Sequence, residues 1–258
     1  MSQLILSYPA FLLVLVRVTS FFITVPLFSY KTIPAVHKVG LSASLSVIIA
    51  TTIDLPVVSL DAQFVLLVVK ECAVGLFIGL TAYVFIMAIQ IAGGLIDFQV
   101  GFAIANVIDP QTGAQSPILG QYLYVFALLF LLSTNGHHLL IDGIYNSYLI
   151  IPLDKVAFPV GSQAFATHII TVFSSMFLVA VQMSLPLVGS LFLVDIALGI
   201  VARTVPQLNI FVVGFPVKII VAFILLIVVM GSMFYMMQII FEQMIEAMRA
   251  TIRILGGV

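Results

Sequence analysis

The sequence has 258 residues, of which 63% are hydrophobic and only 7% are charged, and its formal net charge is −1. Soluble domains carry about 25% charged residues, so this composition predicts an integral membrane protein. The sequence has no basic cluster, so it predicts no electrostatic binding surface for nucleic acid or for anionic lipid headgroups. A single cysteine, Cys72, excludes an internal disulfide and a metal site built from several cysteines.

Six apolar stretches are candidates for helices that cross a membrane, which takes about 20 residues. They run from Leu4 to Phe28, Val39 to Ile53, Phe64 to about Ile96, Leu119 to Ser133, about Ala164 to Val194, and Pro216 to Tyr235. The short second stretch and the long third one indicate tilted or incomplete spans, and Pro26, Pro186 and Pro216 predict helix starts, ends or kinks. We therefore expect an all-α membrane protein with about six long apolar helices, some kinked or tilted, plus short amphipathic helices.

The third stretch carries a stripe of polar and small residues. Glu71, Gly75, Gly79 and Tyr83 recur at every fourth position, so they lie on one helical face. Gly75 and Gly79 form a GxxxG pair, which lets two helix backbones approach closely, and Glu71 would be costly against hydrocarbon. The stripe predicts a packing face, either against another subunit or within the same chain.

A second stripe follows on the same stretch. Gln90, Gly94, Asp97 and Gly101 lie at offsets of four, seven and eleven, which again places them on one helical face. They put an amide and a carboxylate into a groove of small residues. We interpret the groove as a subunit or pore interface, with a seam inside the chain as the open alternative.

A polar connection runs from Asn106 to Gly120. Asp109-Pro110 and Thr112-Gly113 are turn signals, and Ser116-Pro117 is typical of a helix start. From these residues two interpretations stay open: a gating or plug element of a channel, and an ordinary connection on the membrane surface.

Catalytic and metal sites find little support in the sequence. His137 and His138 are adjacent, and neighbours on a helix point about 100° apart, so we expect a structural role at a helix start. No serine sits in a nucleophile elbow, and the flanks of the aspartates do not select intramembrane proteolysis. These residues therefore favour neither a metal site nor catalysis.

Secondary transport is an alternative, because transporters build their sites from helices interrupted by glycine and proline. The interruption between Gly93 and Pro117 has no clear counterpart after Leu178, so the matching second half of a transporter is not evident.

The end of the chain, from Phe234 to Leu255, has the pattern of an amphipathic helix. Its acidic residues come first and its bases last, which suits the helix dipole. Such a helix lies on the membrane interface, packs against a partner, or packs into the core. The charged face consists of Glu242, Glu246, Arg249 and Arg253.

Over nearly its whole length the chain resembles the FliR family of flagellar biosynthetic proteins, which is related to an injectisome export-apparatus subunit. The resemblance rests on the order and spacing of many short features. They are Arg17, Phe21 and Pro26; Pro34 and Lys38; Glu71, Gly75 and Gly79; Gly94 to Gly101; Asp109-Pro110 and Gly113; Leu129-Phe130; Gly136 to His138; Pro152; Leu185-Pro186; Asp195, Gly199 and Arg203; Pro206 to Asn209; and Gly214.

This resemblance implies a core subunit of the flagellar type III protein export gate, in the bacterial inner (cytoplasmic) membrane at the flagellar basal body. The implied partners are FliP-like and FliQ-like membrane subunits, a FlhB-like export switch protein, unfolded export substrates in transit and membrane lipids. A stand-alone transporter of a small molecule and the equivalent subunit of a virulence injectisome remain the alternatives.

The resemblance also implies a division of the chain and two groups of functional residues. Residues 1–155 would be FliP-like and residues 156–258 a FliQ-like hairpin with an amphipathic tail, stacked in a hetero-oligomeric ring. The implied plug loop, at about 106–122, contains Asn106, Asp109, Pro110, Gln111, Gly113, Gln115, Gln121 and Tyr122. The implied helix-packing or subunit-interface residues are Arg17, Glu71, Gly75, Gly79, Gln90, Gly94, Asp97, Gly101, Asp195 and Arg203.

Overall fold

The computed structural model describes residues 2–30, 32–102, 117–156, 159–207 and 209–257, with side chains from residue 8 onward except those of 210 and 211. Within these ranges the chain forms seven α-helices and one short 3₁₀ helix, Pro159–Gly161. The prediction of an all-α protein is confirmed. The helices are α1 (Ser2–Thr24), α2 (Ala35–Thr52), α3 (Ala62–Val100), α4 (Ile118–Ser133), α5 (Gly136–Ile150), α6 (Gln163–Thr204) and α7 (Ile210–Gly256).

Four of the described helices, α2, α3, α6 and α7, are long and apolar enough to cross a membrane, and the bent pair α4–α5 counts as a fifth span if taken together. In the most apolar 18-residue stretch of α3, 61% of the stretch is buried inside the chain, compared with 11% in α6 and 17% in α7. A helix that is apolar all round must be covered by lipid or protein. The surfaces of α6 and α7 therefore require lipid or neighbouring subunits.

The six predicted stretches correspond to α1, α2, α3, α4, α6 and α7, but two features differ from the prediction. The last stretch does not end at Tyr235; α7 continues to Gly256, because the polar residues of the tail repeat with a helical period and do not interrupt the helix. The six stretches do not include α5 as an element of its own, although a helix start was expected at His137 and His138. Helix α5 follows a 73° bend at which Asn135 adopts a left-handed conformation with φ of 58°, and His137 and His138 lie in its first turn as expected.

The prolines behave in two ways. Pro26 follows the end of α1, in agreement with the predicted helix end. Pro186 and Pro216 lie inside α6 and α7, so neither one ends a helix. Proline is tolerated in membrane helices because neighbouring groups satisfy the freed backbone carbonyl.

The start of α3 is held by a side-chain cap. Asp61 Oδ1 accepts hydrogen bonds from the backbone N–H groups of Gln63 and Phe64 at 2.9 and 3.3 Å, and the Ser59 hydroxyl donates to Asp61 Oδ2 at 2.9 Å. The bond from Ser59, with those from the two N–H groups, holds the pKa of the Asp61 carboxyl below its ordinary value. This exposed cap fixes where the longest buried helix begins.

The chain divides into two compact units. The first, called unit 1, contains residues 1–85, 131–173 and 241–258, and therefore α1, α2 and α5 with the first part of α3 and the end of α7. The second, called unit 2, contains residues 86–130 and 174–240, and therefore the rest of α3 and most of α4, α6 and α7. The division at residue 155 into FliP-like and FliQ-like portions stays a prediction.

Candidate functional site

A buried ionic cluster joins α1, α3 and α5 within unit 1. Arg17 Nε donates to Glu71 Oε2, and Lys70 Nζ lies 2.7 Å from Glu71 Oε1. These three side chains are at most 2% exposed. A further Arg17 nitrogen donates to Ser147 Oγ at 3.0 Å. Two cations share one carboxylate, so the cluster carries a surplus positive charge inside the protein.

Backbone carbonyls of the residues that follow α5 accept hydrogen bonds from the two cations. Arg17 donates to the carbonyl of Ile151 at 3.1 Å. Lys70 donates to the carbonyls of Pro152 at 2.6 Å and Lys155 at 3.0 Å. Buried cations must be paired or hydrogen-bonded. The cluster thus fixes residues 151–155 against α1 and α3.

An aromatic ring completes the surroundings of Arg17. Its Cζ lies 4.2 Å from the centroid of the Tyr148 ring, which is a cation–π geometry. The Tyr148 hydroxyl donates to the carbonyl of Val14 at 3.1 Å. Sequence analysis identified Arg17 and Glu71 but missed Lys70 and Tyr148. A signal for Lys70 exists, since a lysine beside a glutamate in a long apolar stretch requires a partner.

The predicted stripe of Gly75 and Gly79 packs against α1 of the same chain. A Cβ on Gly75 would collide with Ser20 Oγ and the Arg17 carbonyl, and a Cβ on Gly79 would collide with Thr24 Oγ1 and lie 2.9 Å from the Phe21 carbonyl oxygen. Both glycines therefore permit backbone-to-backbone contact between α1 and α3. A subunit interface at this stripe stays a prediction.

Replacing Gly79 by leucine is expected to destabilise the isolated chain by at least about 1–3 kcal/mol, because the new side chain meets backbone atoms that cannot move aside. The measurement is thermal unfolding in detergent together with the yield of the co-expressed complex. Gly40→Leu in α2 is the matched control, since a Cβ there has no atom within 4 Å. A stable isolated chain with a lost complex would instead indicate a subunit interface, and unchanged stability and complex yield would count against both.

A second close approach joins α3 to α4 within unit 2. A Cβ on Gly93 would collide with the backbone of Gly120, and a Cβ on Gly120 would lie 2.9 Å from the carbonyl oxygen of Gln90. Gly94 faces the ring of Pro117, whose Cγ would be 3.3 Å from an added Cβ. The groove predicted along Gln90 and Gly94 is thus filled by the start of α4.

Asp97 holds the two helices of this seam together. Its carboxylate accepts hydrogen bonds from the backbone N–H groups of Leu119 at 3.0 Å and Gly120 at 3.3 Å, and the residue is 4% exposed. The first N–H groups of a helix have no partner within the helix. Asp97 therefore caps α4 from a residue that lies 22 positions earlier in the chain.

The backbone around Asp97 also ends α3. Gly101 adopts φ of 101°, a conformation that favours glycine, and the N–H of Phe102 donates to the Asp97 carbonyl at 3.0 Å. This closure is typical of a glycine-terminated helix. The residues on either side of segment 103–116 are therefore attached to one residue, Asp97.

Most of the predicted plug residues lie outside the described part of the chain. Two of them, Gln121 and Tyr122, lie in the first turns of α4, so the loop predicted to extend to about residue 122 ends before Ile118. The N–H of Gln121 donates to the Pro117 carbonyl at 2.8 Å, within the first turn of α4. The cap from Asp97 stabilises this turn, so the helix begins before the predicted end of the loop. Those outside the described residues are Asn106, Asp109, Pro110, Gln111, Gly113 and Gln115.

A third polar cluster in unit 2 joins α3, α6 and α7. Asp195 Oδ1 lies 2.8 Å from Lys218 Nζ, and Gln99 Nε2 donates to Asp195 Oδ2 at 2.8 Å. The Asp195 side chain is 39% exposed. Sequence analysis identified Asp195 but not its partners. Arg203, also predicted as an interface residue, is exposed near the end of α6.

The two histidines stack on each other, with ring centroids 4.1 Å apart. Across the described ranges, no group of three or more His, Cys, Asp or Glu side chains has the geometry of a metal site. The polar residues that the structure brings together hold helices to one another.

Comparison with known proteins decides the family. Residues 8–244 match the family of bacterial export proteins, family 1. The chain belongs to this family. It is 55% identical to the flagellar biosynthetic protein FliR of Bacillus subtilis (strain 168) over 99% of both chains. FliR of Escherichia coli (strain K12) is 32% identical over 80% of this chain and 78% of that protein.

An injectisome-type relative is more distant. The Yop proteins translocation protein T of Yersinia pestis is 28% identical over 84% of both chains. The predicted resemblance to the FliR family, with its relation to an injectisome subunit, is confirmed. The prediction of a flagellar type III export-gate subunit is supported with it, and the chain is a membrane-embedded component of the export apparatus.

Proposed function

We propose that this chain is a core membrane subunit of the flagellar type III protein export gate, where it helps to form and close the channel that unfolded flagellar subunits cross. The observation that carries the proposal is 55% identity to a FliR protein over 99% of both chains. The location is the bacterial inner membrane at the flagellar basal body.

The surface of the chain supports an assembled state. The windows of α6 and α7 that could cross a membrane are only 11% and 17% buried, and the partly exposed pair Asp195–Lys218 lies on these helices. An ion pair is costly against hydrocarbon, so it favours a neighbouring protein or a water-filled path. We assign this coverage to FliP-like and FliQ-like subunits and to a FlhB-like export switch protein.

Conduction by this subunit is passive in the proposal. The sequence contains no GxxxxGK[ST] nucleotide motif, and the polar clusters tie helices together. The chain is proposed to be non-enzymatic and to work without a cofactor, with the energy for export supplied by other components. One subunit provides one wall of a channel, so conduction requires the complex.

The plug assignment rests on the family resemblance and on Asp97. Asp97 is hydrogen-bonded to the backbone of Phe102 and of Leu119, the described residues before and after segment 103–116. A channel plug needs a fixed base so that its position is defined. Asp97 supplies such a base in unit 2.

The experiment shortens residues 106–116 in the co-expressed gate and measures leakage of small solutes and export of flagellar subunits. Greater leakage or altered export, with normal complex yield, is expected. The matched control shortens residues 54–58 in the connection between α2 and α3, which leaves Ser59 and the Asp61 cap in place. Normal closure and normal export in an assembled gate without the loop would contradict the plug assignment.

The two alternative functions are the injectisome role and small-molecule transport. The injectisome role is favoured only by the 28% identity to the Yersinia protein, and complementation of a flagellar export mutant separates it from the flagellar role. A transporter would use the groove near Gln90 and Gly94 as its substrate site. Gly120 of α4 already fills this groove, because a Cβ added to Gly120 would lie only 2.9 Å from the carbonyl oxygen of Gln90.

A further inference from the structure

An open groove of about 220 Å³ lies between α5 and the end of α7, within unit 1. Its floor is apolar and includes Met248 and Ile252, which are 1% and 2% exposed. Gly143 lies opposite Met248, whose Cε would be 2.9 Å from an added Cβ, so the two helices are close at the floor. Leu149 lines one side and is 69% exposed.

The polar end of the groove has an unbalanced positive charge. Arg249 and Arg253 are four residues apart on α7, so they share one face, and both are exposed. In the part of the chain that the structure describes, neither has an ion pair. The one acidic lining residue, Asp142, accepts a hydrogen bond from Asn146 Nδ2 at 2.9 Å. The lining thus holds two arginines against one aspartate, and the exposed Glu246 on the same face of α7 lies outside it.

We propose that this groove binds an anionic phospholipid, with its phosphate at Arg249 and Arg253 and part of one acyl chain along the exposed side chains of Leu139 and Leu149. The planar guanidinium group matches the oxygens of a phosphate, and basic pockets between membrane helices are typical binding places for anionic head groups. The site is separate from the polar clusters that support the export role, and the export role does not require it.

The dimensions and composition favour a lipid over other occupants. The groove has room for a section of an acyl chain. Free phosphate would use the arginines but leave Leu139 and Leu149 exposed, and a zwitterionic lipid would leave the positive charge of the lining unbalanced. The anionic phospholipid is the ligand that satisfies both ends of the groove.

The test is native mass spectrometry of the delipidated full-length chain, titrated with phosphatidylglycerol and with phosphatidylcholine of the same acyl chains. One molecule of phosphatidylglycerol is expected to bind more tightly than phosphatidylcholine. Arg249→Gln with Arg253→Gln is expected to weaken this binding roughly thirtyfold, since each arginine near an anionic lipid contributes on the order of fivefold. Lys155→Gln, which removes an exposed positive charge of unit 1 outside the groove, is the matched control and is expected to change nothing.

Several outcomes would overturn the proposal. They are equal binding of the two lipids, unchanged phosphatidylglycerol binding by the double variant, and competition by inorganic phosphate at equal concentration. A photo-crosslinking amino acid at Leu149 in cells provides an independent measurement. Crosslinks to lipid support the site, and crosslinks to a protein instead would show that the groove is a protein interface.

Discussion

Replacing Glu71 by glutamine is expected to lower the free energy of unfolding by about 3–5 kcal/mol, the usual cost of removing one partner from a buried ion pair. The carboxylate contacts both Arg17 and Lys70. Without it, two buried cations remain with only carbonyl and hydroxyl groups as partners. Since a domain has about 5–15 kcal/mol of stability, most of the protein is expected to be lost before it assembles.

The measurement is unfolding of the purified chain by denaturing detergent, with the amount of membrane-inserted protein as a second readout. Glu242→Gln is the matched control, because this glutamate is exposed on α7 in the same unit. An effect of Glu71→Gln below about 1 kcal/mol, the range of exposed ion pairs, would contradict the role assigned to the cluster.

A double substitution separates the charge effect from simple loss of packing. Arg17→Leu removes one of the cations that Glu71→Gln leaves unpaired. The combined effect of the two substitutions is therefore expected to be smaller than the sum of the single effects, by about 0.5–3 kcal/mol, the range for residues in one network. Strictly additive effects would mean that the two side chains act independently.

Replacing Asp97 by alanine is expected to release the start of α4 and the base of segment 103–116. The N–H groups of Leu119 and Gly120 then lose their acceptor in a buried place, which costs about 1–3 kcal/mol. Amide hydrogen exchange at these residues is expected to rise about 5- to 150-fold, since local opening becomes cheaper by that amount. Solute leakage through the assembled gate is expected to rise as well.

Two controls accompany this substitution. Asp97→Asn keeps one acceptor oxygen and is expected to give a smaller effect, while Asp54→Ala removes an exposed aspartate in the α2–α3 connection and is expected to leave exchange at Leu119 unchanged. Faster exchange without leakage would keep the capping role but remove the link to channel closure. Unchanged exchange in Asp97→Ala would refute the capping role itself.

The sequence predicts which residues share one face of a helix, because their spacing is regular. Glu71, Gly75 and Gly79 were placed on one face because a helix repeats every 3.6 residues, and the structure places this face against α1. The same period identified the face of Gly94 and Asp97, which meets α4. Periodicity gives the face but not its partner, so the choice between a subunit and the same chain stayed open.

Contacts between distant residues could not be read from spacing. Arg17 and Glu71 are 54 positions apart, and no local rule joins two helices at that separation. The same holds for Asp97 with Leu119, and for Asp195 with Gln99, which are 96 positions apart. These contacts depend on tertiary packing. Glu71 and Asp97 were recognised from their place on a helical face, Arg17 and Asp195 through the family resemblance, and Gln99 was not recognised.

Helix boundaries were predicted where a residue with a backbone constraint marks them. Pro26 follows the end of α1, and Pro117 precedes the start of α4. Composition was less informative at the tail, where charged residues suggested a change of element after Tyr235. Because those charges keep to one face, α7 remains a single helix to Gly256.

The central claim is that the chain works as one subunit of a hetero-oligomeric export gate. Native mass spectrometry after mild detergent extraction tests it most directly, with the chain produced alone and together with FliP-like and FliQ-like subunits. The account predicts a stable hetero-oligomer that forms only when both partners are present. A well-behaved monomer or homo-oligomer that ignores the partners would contradict it and would favour a stand-alone transporter.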